Sequence, residues 1–246
     1  MKRLKLFDTH CHFEKADPVE IGAILARAQA AGVEALLAVG GSAELNSAAQ
    51  CAASLSPIVR CALGYDREQC ESARSPIAAV PRLAAWGEIG LDYHYSPETR
   101  EQQRVLFAEQ LEEARRRDLP VVIHTREADD DTLALLREIP SRGIIHCYTG
   151  SPEVAEDFLD LGFYISISGI VTFRGAINVR ATAIFVPDDR LLIETDSPFL
   201  APEPKRGQPN EPAFLAHTCT YIASLRGQSA EAVAALTFAN AERVLS

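Results

Sequence analysis

Short, nearly continuous apolar runs recur along the chain, separated by stretches in which apolar residues return at helical spacing. Leu4–Phe7, Ala35–Val39, Ile58–Leu63, Leu83–Glu88, Val121–His124, Gly143–Cys147, Phe163–Ser168 and Arg190–Glu194 read as eight strands. Asp17-Pro18-Val19-Glu20 predicts a helix start, with Asp17 as cap, Pro18 at the first helical position and Glu20 reaching back. Ile21, Ile24, Leu25 and Ala28 form the apolar face of that helix, and Gly32 suits its end. Ser96-Pro97-Glu98 predicts a capped start for a long helix through Val105, Leu106, Leu111 and Ala114. Leu133, Leu136 and Ile139 mark another helix, and Ser151-Pro152-Glu153 opens one that Gly162 ends. Two helices close the chain, the second capped by Ser229.

Apolar runs without polar alternation belong to a sheet covered on both faces, as parallel sheets are. Strands and helices in alternation over 246 residues predict an α/β fold, a TIM-type (β/α)8 barrel, with residues 1–246 as a single domain. A doubly wound open sheet is the alternative, but its Gly-rich phosphate fingerprint is absent. Pro198–Pro212, rich in Pro and Gly, reads as a long ordered loop over the barrel mouth.

Composition narrows the function. Hydrophobic residues at 47% and charged residues at 24% describe a globule with a real core. A net charge of −10 argues against a broad electrostatic grip on long nucleic acid. It leaves room for a small phosphate substrate, because bound divalent ions invert the field of an acidic site. The apolar start is too short for a leader, and no run approaches the roughly 18 apolar residues of a membrane span. The six cysteines are scattered without a CxxC pair, as free thiols of a reducing cytoplasm would be. Cys11 and Cys147 adjoin candidate ligands, but strand neighbours face opposite ways, so both are expected to pack.

The chemistry follows from where polar residues interrupt the apolar runs. Asp8-Thr9-His10-Cys11-His12, Glu88, His124, His146 and Asp196 each stand at a strand's C-terminal end, where barrel active sites lie. His10 and His12 are two apart, so on a strand they leave the same face and can grip one ion. Two ions about 4 Å apart need a bridging carboxylate, and Glu88 is the natural bridge. His10, His12 and Asp196 would complete one ion site, and His124 and His146 the other. This donor mix suits Zn, Mn, Ni, Co or Fe, with a partly hydrated Mg site also open. A water between the ions would lose a proton near neutral pH and attack, with Asp196 able to take that proton as base.

At these residues a resemblance becomes specific. Asp8-Thr9-His10-Cys11-His12, Gly87-Glu88-Ile89-Gly90-Leu91-Asp92, Ile123-His124-Thr125-Arg126, His146-Cys147-Tyr148-Thr149-Gly150 and Glu194-Thr195-Asp196-Ser197-Pro198 resemble the signatures of the TatD-like metal-dependent hydrolases. Ser168–Phe173 and Asn210-Glu211-Pro212 match further segments. The resemblance implies an amidohydrolase-like barrel holding two divalent ions (Mg, Mn or Zn), with metal ligands His10, His12, Glu88, His124, His146 and Asp196. It also implies phosphodiester hydrolysis, several members being 3′-to-5′ DNA exonucleases, which points to single-stranded DNA ends as substrate. Two departures stand out. Gly64-Tyr65-Asp66 replaces the family's Gly-x-His-Pro, and Arg206-Gly207-Gln208-Pro209-Asn210-Glu211-Pro212 lacks two cations of its loop.

Arg126 is a candidate phosphate contact, or else a structural partner of a barrel carboxylate. Tyr148 is a candidate base-stacking residue, with packing beneath the rim as its other reading. Arg174 and Arg206 are candidate phosphate contacts. His94 and His217 are expected off the site, Trp86 in the core, and the run Glu112–Asp118 on a solvated helix face. Three functions stay open: a two-metal phosphodiesterase acting as a deoxyribonuclease, an amidohydrolase or esterase, and a non-catalytic metal-binding protein. No lysine falls at a strand end to serve as the carbamylated bridge of many amidohydrolases, which disfavours the second.

Overall fold

In the computed structural model, which describes residues 3–246, eight strands pair in chain order, each parallel to the next. They are β1 (Leu6–Cys11), β2 (Val33–Gly41), β3 (Val59–Tyr65), β4 (Leu83–Asp92), β5 (Val121–Arg126), β6 (Gly143–Ile145), β7 (Tyr164–Ile167) and β8 (Leu191–Ile193). The helices are α1 (Pro18–Ala31), α2 (Ala43–Leu55), α3 (Arg100–Arg117), α4 (Asp129–Glu138), α5 (Pro152–Asp160), α6 (Ile177–Phe185), α7 (Leu215–Arg226) and α8 (Ala230–Val244). The eight-stranded α/β barrel expected from the sequence is the observed fold. One unit departs from the ideal: β3 returns to β4 through a 3-10 turn at Arg67–Gln69 and extended chain, without a helix.

Polar groups close the ring between β8 and β1. Asp196 N–H donates to the His10 carbonyl at 2.9 Å, and His12 N–H to that of Ser197 at 2.7 Å. The buried Asp8 carboxylate accepts from Thr195 N–H at 2.9 Å and from its hydroxyl at 2.6 Å. Inside the ring, Phe7, Leu37, Ala62, Ala85, Val122, Ile144, Tyr164 and Leu192 form an apolar floor. Ala241 and Val244 of α8, with Leu245 just past its end, plug it from below. The larger apolar layer lies between the sheet's outer face and the helices.

Helix starts follow local chemistry unevenly. Asp17 caps α1 by accepting from Val19 and Glu20 N–H, and the Ser229 hydroxyl accepts from Ala232 N–H at 3.1 Å. Ser151 precedes α5 without a side-chain cap bond. Pro97–Thr99 forms a 3-10 turn, so α3 starts only at Arg100.

Candidate metal centre

Two irregularities in strand pairing aim the polar residues inward. From Asp8 to Cys11, β1 spans one residue more than the facing step from Leu36 to Ala38 on β2. Phe7 points to the barrel floor, and an odd number of residues later His10 faces the same cavity, which the extra residue permits. β4 repeats the device between Trp86 and Ile89, opposite Val121 and Ile123, and turns Glu88 inward. Glycines make room here. A Cβ on Gly90 would lie 2.0 Å from the His124 carbonyl oxygen, and one on Gly87 2.8 Å from that of Val122. At the end of β8, Asp196 takes the left-handed conformation (φ 56°), which Asp tolerates better than most residues.

The structure brings His10, His12, Glu88, His124, His146 and Asp196 together. Glu88 stands at the centre, and each of its carboxylate oxygens faces a different histidine pair. Oε2 lies 3.6 Å from His10 Nε2 and 3.5 Å from His12 Nε2. Oε1 lies 3.5 Å from His124 Nδ1 and 3.6 Å from His146 Nε2. Asp196 Oδ1 joins the first pair at 3.8 and 3.7 Å. The donor atoms of His10, His12 and Glu88 lie within 4.8 Å of one another, as do those of Glu88, His124 and His146. Buried imidazole and carboxylate donors at this spacing can hold metal ions.

The far nitrogens of these rings are oriented by residues to which sequence reasoning assigned no role. His12 Nδ1 meets the Val39 carbonyl at 3.0 Å, His124 Nε2 meets Asp92 Oδ2 at 2.9 Å, and His146 Nδ1 meets Glu194 Oε1 at 3.3 Å. Such partners fix which nitrogen is free for an ion. His10 Nδ1 and Glu194 Oε2 are both buried with no hydrogen-bond partner, although His10, His146 and Glu194 offer donor atoms within 4.8 Å of one another. Asp92 and Glu194 sit inside two of the sequence motifs, so position was the available signal. Arg67 was missed altogether: its guanidinium donates from Nη1 to Glu88 Oε1.

Burial and charge set the protonation of the cluster. Burial pushes His10 down to about 3, and burial with the Arg67 charge pushes His124 down to about 4, so both rings are neutral and ready to donate. Burial alone would raise Glu88, but Arg67 and His146 outweigh it and hold the carboxyl well below the usual range. Burial would likewise lower His146, but Glu88 and Glu194 beside it hold it well above the ordinary histidine value. Burial raises Asp196 to about 6, against the opposing pull of His146 and His12.

Other expected site residues lie elsewhere. Tyr148 is 2% exposed, its hydroxyl donating to the Ser151 carbonyl and its ring edge-on to Phe158. It therefore has no face to offer a base, and the stacking role is corrected to packing beneath the rim. Arg126 lies over the Tyr95 ring at 4.6 Å and Arg206 over Phe173 at 3.9 Å, while Arg174 is exposed. Among the described residues, no hydrogen bond or ion pair joins these three side chains to the cluster. His94 pairs with Glu127 at 2.6 Å, and His217 lies on α7 beside Phe214. The buried thiol of Cys11 contacts the Leu37 carbonyl, and Cys147 contacts the Ser168 hydroxyl. Burial pushes both thiols well above their ordinary value, which keeps thiolate out of the donor set. The Pro198–Pro212 loop runs over the mouth as expected, with the Phe199 ring 6.5 Å from that of His12. Asn210 pins it by donating to the Thr195 and Phe199 carbonyls.

Comparison with known proteins agrees with this geometry. The chain is 40% identical to the metal-dependent hydrolase YcfH of Escherichia coli, covering 97% of this chain and 95% of that protein. It is 35% identical to a protein of Klebsiella pneumoniae named 3′-5′ ssDNA/RNA exonuclease TatD, over 88% of each. The crystal structure of YJJV, a TatD homologue from Escherichia coli, superposes with a TM-score of 0.89 at 30% identity, covering 98% of this chain and 97% of that one. Residues 7–246 match the family described as TatD related DNase. With a cluster of histidines and carboxylates able to hold metal at the mouth of an eight-stranded barrel, the chain belongs to the TatD family of metal-dependent hydrolases.

Proposed function

We propose that this hydrolase is a phosphodiesterase, acting as a 3′-to-5′ deoxyribonuclease on single-stranded DNA ends, with two divalent ions bound on either side of Glu88. The observation that carries the reading is the position of Glu88, one oxygen toward His10 and His12, the other toward His124 and His146. A carboxylate placed between two donor sets is what a bridging ligand requires. Asp196 completes the first set. The donor set fits Mn, Zn or Mg, and when bound such ions supply a nucleophilic hydroxide and neutralise charge on the phosphoryl oxygens.

The chain's own residues do the rest. Asp92 and Glu194 hold His124 and His146 in orientation. Asp196, raised to about 6, is poised to accept a proton from the attacking water and pass it to the leaving oxygen. Arg126 and Arg206, stacked on Tyr95 and Phe173, and the exposed Arg174 are cations available to the departing strand. No helix among the described residues is long and apolar enough to cross a membrane. The six cysteines stand free, which suits work in the cytoplasm. The Klebsiella pneumoniae relative's name supports a nucleic-acid substrate.

The test is to strip the protein of metal, reload it with Mn, Mg or Zn, and offer a labelled single-stranded oligonucleotide, a bis-aryl phosphodiester and a panel of amides. Stepwise shortening of the oligonucleotide is the expected result. Turnover of amides alone would replace this reading by an amidohydrolase, and silence on every substrate with metal bound would leave a metal-binding protein.

A further inference from the structure

Arg67 is the cation nearest the heart of the site. It opens the 3-10 turn directly after β3. Asp66 N–H donates to the Gly41 carbonyl at 2.9 Å, which holds the turn to the barrel rim, and the Asp66 side chain caps the turn by accepting from Glu68 N–H at 2.8 Å. From this fixed base the side chain, 18% exposed, runs inward and donates from Nη1 to Glu88 Oε1. Its Nη2 stays 3.8 Å from Glu68 Oε1, too long for a hydrogen bond. A guanidinium carries five N–H donors, and Arg67 has only one committed to Glu88.

The oxygen that Arg67 holds is the one facing His124 Nδ1 and His146 Nε2. A cation bound there would compete with the guanidinium for that oxygen and repel its like charge. We infer that Arg67 has two positions of use: it is the resident counter-charge of Glu88, and once a cation takes that oxygen it becomes a phosphate-binding residue at the mouth.

Three features of the chain converge on this assignment. Asp66, the residue before Arg67, has its carboxylate spent capping the turn that carries Arg67. Gln208 and Pro209, in the loop over the mouth, carry no charge. Among the described residues, Arg126, Arg174 and Arg206 make no hydrogen bond to the clustered histidines and carboxylates, whereas Arg67 does. A planar fork with free donors, adjacent to a histidine–carboxylate set, is chemically matched to phosphoryl oxygens. The inference rests on the phosphodiesterase reading for its biological sense, but it can fail independently.

The experiment uses the full chain as wild type, Arg67→Gln and Arg67→Lys. Each metal-free protein is titrated calorimetrically with Mn²⁺ in phosphate-free buffer, and the Mn²⁺-loaded protein is then titrated with inorganic phosphate. Arg67→Gln should bind the weaker Mn²⁺ equivalent about tenfold more tightly or better, because the competing cation is gone, and phosphate about 10- to 100-fold more weakly. Arg67→Lys keeps the charge without the fork, so its Mn²⁺ affinity should stay near wild type while phosphate binding weakens severalfold. Phosphate bound as tightly by Arg67→Lys as by wild type, or Mn²⁺ bound more weakly by Arg67→Gln, would overturn the assignment. The lysine variant carries the test if the glutamine variant does not fold. Arg67-dependent phosphate binding by a protein that leaves oligonucleotides and bis-aryl phosphodiesters intact would sink the phosphodiesterase reading and leave Arg67 an anion-binding residue.

Discussion

Replacing Glu194 by glutamine removes a charge behind two histidines while leaving their packing almost untouched. The carboxylate is fully buried, with Oε1 3.3 Å from His146 Nδ1. Its other oxygen and His10 Nδ1 are both buried without partners among the described residues, and His10, His146 and Glu194 offer donor atoms within 4.8 Å of one another. His146 and His10 face opposite oxygens of Glu88, which means that Glu194 stands behind both halves of the centre. Outer hydrogen-bond partners of metal-ligating histidines typically contribute about 10- to 100-fold in affinity, or about 1.4 to 2.7 kcal/mol. Glu194→Gln should therefore weaken both binding steps in a calorimetric Mn²⁺ titration by that factor. Asp92→Asn, which among the clustered histidines touches only His124, should weaken one step alone. Far-UV circular dichroism of the metal-free proteins checks that the barrel is intact. If Glu194→Gln binds both ions as wild type does, or loses only the step that Asp92→Asn loses, the shared role is refuted.

Other consequences can be measured directly. Asp196→Asn should retain at least one Mn²⁺ equivalent while losing turnover of a bis-aryl phosphodiester, and full turnover would remove Asp196 from the proton transfer. Burial raises Asp66 from 3.8 to about 7, so the native state holds a proton that the unfolded chain releases, and stability falls as pH rises from about 4 to 7. Asp66→Asn should remove that penalty, an upper bound of about 4 kcal/mol, giving a higher urea midpoint than wild type at pH 8 and no gain at pH 4. An equal gain at both values would rule out titration of Asp66 as the cause. Gly90→Ala places a Cβ 2.0 Å from the His124 carbonyl oxygen, so β4 and β5 must part and thermal stability should fall by several degrees, with weaker metal binding at the His124 side. Wild-type melting and metal titration in this variant would show that the close approach is not required.

Much of the fold was legible because buried parallel strands write themselves as apolar runs, and all eight appear in the order in which the sheet pairs them. Their ends were less legible. β1 continues through Asp8-Thr9-His10-Cys11, since in a barrel mouth polar side chains can be fully buried within a strand, and apolar patterning stops where the chemistry begins. The extra residues in β1 and β4 are invisible to a period-two reading, yet they decide which side chains enter the cavity. β3 leads to no helix, although the spacing to β4 is long enough for one. The six clustered side chains were readable because each interrupts or follows an apolar run, although β4 continues to Asp92 and β5 to Arg126, so that Glu88 and His124 lie within their strands and not at the expected ends. Arg67 was not, because nothing in Gly64-Tyr65-Asp66-Arg67 reveals that a long side chain folds back onto Glu88. Tyr148 shows the converse failure: next but one to His146, it turns into the core.

A pair of ions straddling Glu88 is what its two histidine pairs predict. A crystal of the protein soaked in Mn²⁺, with data collected above the manganese absorption edge, tests it most directly. Two anomalous peaks flanking the Glu88 side chain, one against His10, His12 and Asp196 and the other against His124 and His146, are the predicted result. A single peak, or manganese bound away from Glu88, would contradict it.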